Sequence, residues 1–220
     1  MKIRSNRFVL SHAILSVALI AGSAHAAKTD VTIGMQLEPP NLDPTGGAAA
    51  AIDEVVYANI FEGLTRFGSD GSVLPALAAS WDISEDGLTY TFSLNDGVTF
   101  HDGSELDADD VKFSLERAMA DDSTNAQKQL FANIESVENI DGSAVIKLKA
   151  ADGNLLFNLA WGDAVIVAPE SAENLATAPV GTGPFKFKNW VQGDQIVLEK
   201  NAEYWGEPGN WETHQDHQPS

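Results

Sequence analysis

A mixed α and β fold is what this chain of 220 residues predicts, and three observations carry the prediction. Apolar and polar residues alternate in short runs bounded by Asp-Gly pairs, as half-buried strands do between tight turns. Two stretches, one from about Asp53 and one after Asp107, instead place apolar residues three and four apart, which is the spacing of a helix face. Near the C-terminal end, VGTGPFKFKNWVQGDQIVLEKNAEYWG at 180–206 reads as turn, strand, turn, strand and an aromatic pair closed by glycine.

Taken in order, the first segment sets the compartment. Lys2, Arg4 and Arg7 precede the mostly apolar run Phe8 to Ile20, and Ala24-His25-Ala26 follows as a small-x-small site. Together they describe a secretory signal peptide over 1–26, with a mature chain beginning at Ala27. The 13-residue run is short of the roughly 20 residues that cross a bilayer. No cysteine is present to form a disulfide or take a lipid, so a soluble exported protein is expected, in the periplasm of a two-membrane bacterium.

Val31 to Leu37 (VTIGMQL) alternates and reads as the first strand of a lobe, ending at Glu38-Pro39-Pro40. Asn41 to Gly47 is a loop whose Gly46-Gly47 pair leaves backbone amides open to a ligand, or merely shapes a turn. A helix from Asp53 is predicted by Val56, Ile60 and Leu64, with Gly63 near its end and Glu62 as a satisfied helix-end carboxylate. Turns at 69–71 and 85–87 then frame strands, the clearest being Thr89 to Leu94, with Trp81 beneath them. Val98 to His101 is read as another short strand. Asp107 and Asp110 form a near capping box for a helix that buries Val111, Leu115, Ala118 and Met119. Ile134 to Val137 and Ala144 to Lys149 flank a hairpin-like Asp141-Gly142 turn. Asn154 to Trp161 has helical spacing, and the continuous apolar run Ala164 to Ala168 reads as a buried strand.

The formal net charge is −19, and it becomes −22 without residues 1–26, which carry three cations and no carboxylate. Such a surface repels nucleic acid and anionic lipid, serves solubility, and weakly favours cationic ligands. Catalytic chemistry finds few parts. There is no G-x-S-x-G elbow, and His101, Asp102 and Ser104 form the only local serine, histidine and aspartate cluster. Gly181-Thr182-Gly183 lacks a third glycine and leads into a strand, so no nucleotide cradle is indicated. His214 and His217 lack the framing of a zinc site. No catalytic residue, metal site or cofactor is therefore assigned.

The 180–206 segment, together with NLDP at 41–44, NIFEGL at 59–64, LAASWDISEDGLTYTFSL at 77–94 and FHDGSELDADDVKFSLERAM at 100–119, resembles the peptide-type extracellular solute-binding proteins of ABC importers. The resemblance runs from about Val31 to Gly206. It implies an α/β, periplasmic-binding-protein type II-like two-lobe fold, of which the first lobe and its inserted strand-rich subdomain are present here. The implied division is first lobe 27–58, inserted α+β block 59–163, return to the lobe 164–206, and an atypical tail 207–220. Full members are more than twice as long, so a truncated or frame-shifted product is expected.

The resemblance further implies a monomeric periplasmic binder that captures oligo- or dipeptides for an inner-membrane ABC permease, without a cofactor and without nucleic acid. A nickel chelate, an opine or an oligosaccharide is the alternative cargo, and a secreted hydrolase the alternative class. In the segments corresponding to the family's cleft stand Thr45, Gly46, Gly47 and Ala48, with Phe131 and Trp161 as ring platforms or, the more ordinary reading, as core residues.

Overall fold

The computed structural model describes residues 30–207, so the leader expected over 1–26 and the tail from 208 onward lie outside the described residues. Among these, residues 36–207 belong to one compact unit and residues 30–35 to another. In the latter, residues 30–35 have no regular structure, and Val31 and Ile33 are 76% and 78% exposed. The strand expected over Val31 to Leu37 is therefore not formed. Alternation decides which face a strand would bury, but a strand exists only where a neighbour takes its hydrogen bonds.

Within the main unit, α1 (Ala50–Val56) is followed by β1 (Thr65–Phe67), β2 (Val73–Pro75), β3 (Ala78–Ile83), β4 (Thr89–Leu94) and α2 (Ala108–Met119). Then come β5 (Ile134–Ile140), β6 (Ser143–Leu148), the short α3 (Leu155–Asn158), β7 (Phe185–Val191) and β8 (Gln195–Lys200). β3, β4, β6 and β5 form an antiparallel sheet in that order, while β1–β2 and β7–β8 are two-stranded ribbons.

Two apolar clusters result. The first lies between the four-stranded sheet and α2, where Tyr90, Phe92, Val137, Ala144, Ile146 and Leu148 meet Val111, Leu115 and Ala118, all buried. The helix starts where the sequence places it. The Asp107 carboxylate accepts from the Asp109 and Asp110 amides, and the Asp110 carboxylate accepts from the Asp107 amide in return, so these three amides at the helix start are satisfied. The β5–β6 hairpin turns at Asp141 and Gly142 with φ of 52° and 85°, the paired left-handed residues that suit the strand twist.

The second cluster is assembled from distant sequence: Leu42, Ile52, Val55, Val56, Ile60 and Phe61 pack on Val165, Val167 and Leu175. Phe187, Trp190, Ile196 and Leu198 of the β7–β8 ribbon cover it but remain partly exposed.

Three more expected elements differ. The first helix stops at Val56, because Tyr57 is extended and Ala58 has a φ of 57°, so Ile60 and Leu64 are buried from a turn and not from a helix face. Val98 to His101 makes only the isolated bridge Thr99 to Glu105, with His101 in the turn beyond. Ala164 to Ala168 is buried throughout but forms one isolated bridge, Val165 to Gly63. Its amides go elsewhere: Ile166 donates to the Glu62 carbonyl at 2.9 Å, and Val167 to the Ser114 hydroxyl at 2.9 Å.

Candidate functional site

Buried titratable groups are where chemistry would be sought, and two of them join the sequence motifs. The turn at Ala58 brings the Glu62 carboxylate under the 180–206 segment. There it accepts from the Thr182 hydroxyl at 2.9 Å, the Tyr204 phenol at 2.7 Å and the Trp205 indole at 2.9 Å. Burial raises the Glu62 pKa, and these three donors hold it down in part. The backbone seals the same junction. Gly183 donates to the Ile60 carbonyl and Phe185 to the Asn59 carbonyl, each at 2.9 Å. A Cβ on Gly181 would lie 2.0 Å from the Ile60 carbonyl oxygen, and one on Gly183 would lie 2.5 Å from that of Asn59. Close approach, and not a left-handed backbone, is thus the reason for both glycines.

His101 serves the same loop. Its Nε2 lies 2.9 Å from the Gly183 carbonyl oxygen and therefore carries the proton, its Nδ1 accepts from the Gly181 amide at 3.4 Å, and its amide donates to the Gly181 carbonyl. Burial lowers its pKa, which keeps this neutral tautomer. With both ring nitrogens occupied by backbone, His101 cannot serve Ser104, whose hydroxyl donates to Asp102 at 2.7 Å. Glu62 and His101 together are structural clamps. The sequence marks them only as a carboxylate within an apolar stripe and a histidine before Asp-Gly.

The loop candidates are held by a charge. Arg117 of α2 pairs with the Asp43 carboxylate and donates to the Thr45 hydroxyl, while the Thr45 amide donates to Asp43 at 3.0 Å. Thr45 is buried, Gly46 and Gly47 are half-buried, and Ala48 is exposed. Gly47 has a φ of 147° and nothing lies within 4 Å of a Cβ placed on it, so the loop faces open space there, whereas a Cβ on Gly46 would lie 2.8 Å from Asp43 Cβ.

The two ring candidates separate. Phe131 is 0% exposed inside the sheet cluster, which agrees with the core reading of that residue. Trp161 is 40% exposed and belongs to a ring cluster with Phe67 and Phe157, at centroid distances of 6.3 Å and 6.2 Å. Behind it lie Asp53, Tyr57 and Asp163, with the Tyr57 phenol donating to the Ala160 carbonyl at 2.6 Å. Sequence reasoning passed over Phe67, Asp53 and Asp163, since they join Trp161 only through the tertiary fold. A further groove of about 430 Å³ is lined by Thr177, Phe187, Asn189, Trp190 and Gln192 at the β7–β8 ribbon. Among the described residues no group of three or more His, Cys, Asp or Glu could hold a metal ion.

The model of the bacterial extracellular solute-binding proteins, family 5 (middle region), matches residues 72–213. The chain belongs to this family. The match continues past Gly206, where the sequence reading ends the resemblance. A glutathione-binding protein, GsiB, of Pectobacterium atrosepticum is 37% identical over 196 residues, covering 87% of this chain and 38% of the relative. The periplasmic binding protein DppA of Helicobacter pylori, solved with the peptide STSA, superposes with a TM-score of 0.69 at 32% identity, over 77% of this chain and 38% of that one. NikZ of Campylobacter jejuni, solved with Ni(L-His), matches with a TM-score of 0.69 at 32% identity, over 78% and 35%. The family 5 fold is thus shared, and the chain spans less than two fifths of the length of these relatives. Among the described residues no helix is long and apolar enough to cross a membrane.

Proposed function

We propose that the protein is the periplasmic substrate-binding component of an ABC importer, capturing oligo- or dipeptides or a related small solute for a membrane permease. The observation that carries this reading is the family 5 match together with 37% identity over 87% of the chain. Relatives whose names specify glutathione, a tetrapeptide and a nickel–histidine complex support a cargo of peptides or a related small solute. An opine or an oligosaccharide remains the alternative cargo. The chain acts as a monomer without nucleic acid, and 1–26 is removed on export, so amino-terminal sequencing of the exported protein should begin at Ala27. The implied parts are 27–58 and 164–206 as lobe, 59–163 as inserted block and 207–220 as tail.

Ligand contacts fall to the Thr45–Ala48 loop and the Trp161 edge. No catalytic role is assigned, and the backbone-bound His101 ring weighs against the secreted-hydrolase alternative. A cleft of two lobes gains affinity from both walls and excludes water only on closure. Calorimetry with a mixed di- to pentapeptide pool should therefore show no micromolar binding by residues 27–220 alone. It should show saturable binding without product formation once the remaining length of a family member is joined in one chain. Product formation would favour the hydrolase, and absence of binding by the joined chain would overturn the importer reading.

A further inference from the structure

The edge formed by the end of α1, β1 and residues 157–163 combines two features that the glycine loop lacks. Its three rings pack on one another, Phe67 to Phe157 at 4.9 Å, yet Phe157 and Trp161 remain 43% and 40% exposed. Beside them stand two carboxylates that meet no donor from another residue. The Asp53 carboxylate lies against Gly162, since a Cβ placed there would be 2.9 Å from Asp53 Oδ1, and Asp163 is the next residue, 6% exposed. Among the described residues no other residue donates a hydrogen bond to either carboxylate, and neither belongs to an ion pair. Burial and the Asp53 charge push Asp163 up to about 6. Of the neighbouring groups, the Tyr57 phenol is committed to Ala160, and Arg66, which acts on Tyr57 at longer range, is exposed and donates through Nε to the Pro75 carbonyl. Two crowded, uncompensated carboxylates next to an exposed indole are relieved best by a cation that carries apolar surface.

We propose that this edge is a subsite for an alkylammonium group, the cation sitting at Asp53 and Asp163 while its aliphatic stem lies along Trp161 and Phe157. The subsite rests on the solute-binding reading only for its biological purpose, where it selects lysine-like or other amine-bearing ligands.

The 220-residue chain tests it directly. With ¹⁵N-labelled tryptophan, the Trp161 indole resonance is the signal lost in Trp161→Phe. Addition of n-butylammonium at millimolar concentration should shift it saturably, whereas n-butanol and butyrate should not. Asp53→Asn and Asp163→Asn should each abolish the shift, while the other indole signals stay in place and report an intact fold. If Asp163→Asn disperses those signals, Asp53→Asn decides the matter alone. An equal response to butanol would reduce the edge to an apolar patch, and no response to any probe would remove the subsite; either result overturns the proposal. Peptide calorimetry on the joined chain separates the two readings. An amine shift without peptide binding leaves the subsite standing and removes the importer role, and peptide binding without an amine shift does the reverse. When both hold, a tripeptide with central lysine should bind at least about tenfold more tightly than its norleucine counterpart.

Discussion

The two apolar clusters differ in how they are closed. The sheet cluster draws on residues 64–168, chiefly one continuous stretch, and is covered by a helix whose N-terminus is closed by a capping box, and Phe92, Leu115, Phe131 and Ile146 are all 0–1% exposed. The second cluster takes residues 42–61 from one part of the chain and 165–198 from another, and its outer layer is a two-stranded ribbon with Phe187, Trp190, Ile196 and Leu198 only partly covered. An isolated two-stranded ribbon is marginal in water, and it is held here by packing and by specific clamps. The Glu38 carboxylate accepts from the Trp190 indole at 2.9 Å and from the Gly193 amide at 2.8 Å. The comparison teaches that the stability of the first region comes from area, and that of the second from a few polar junctions.

The largest break in that contrast should come at Gly181. An alanine Cβ there would collide with the Ile60 carbonyl, so Gly181→Ala should destabilise by about 4 kcal/mol or more and lower the urea midpoint sharply. Unchanged stability would show that the loop is not seated on 59–61. Next, Phe92→Ala in the sheet cluster should cost about 3–5 kcal/mol, against about 1–2 kcal/mol for the half-buried Phe187→Ala in the ribbon. Equal costs in chemical denaturation would erase the distinction between the two regions. Glu62→Leu leaves three donors unsatisfied and should cost about 2–4 kcal/mol, with Glu62→Gln recovering part of it.

The smallest effect is a pH dependence. Asp163 has a raised pKa, so the folded state binds its proton more tightly than the unfolded chain does. Its contribution to stability is complete below the ordinary carboxylate range and is lost as pH rises through about 6. Asp163→Asn should therefore flatten the stability profile between about pH 4 and 6 and gain about 1–2 kcal/mol at neutral pH. An unaltered profile would place the titration elsewhere.

What was legible in the sequence follows the same divide. The Asp107–Asp110 cap, the Asp141-Gly142 turn and the alternation of Thr89 to Leu94 are local signals, and each is found where the residues place it. The junction region was read less well because its structure is decided by partners far away in sequence. Nothing near Ala58 announces a φ of 57°, and nothing near Val167 shows that its amide goes to Ser114 in place of a strand. In the candidate site, Trp161 could be suspected as an exposed ring, but Asp53 joins it from 108 positions earlier. Phe131 carries the same sequence signal and is enclosed.

The ion pair between Asp43 and Arg117 has a kinetic consequence. It spans 74 positions, and the Leu42 amide reaches further still, to the Ala176 carbonyl. The N-terminal stretch of the second cluster therefore has no lasting partner until most of the chain is available. Contacts of such sequence separation carry a high loop-closure cost and form late, whereas the β3–β4 and β5–β6 hairpin contacts are short in range and early. On a growing chain, the region that carries the glycine loop and α1 emerges before its partners and is among the last to fold.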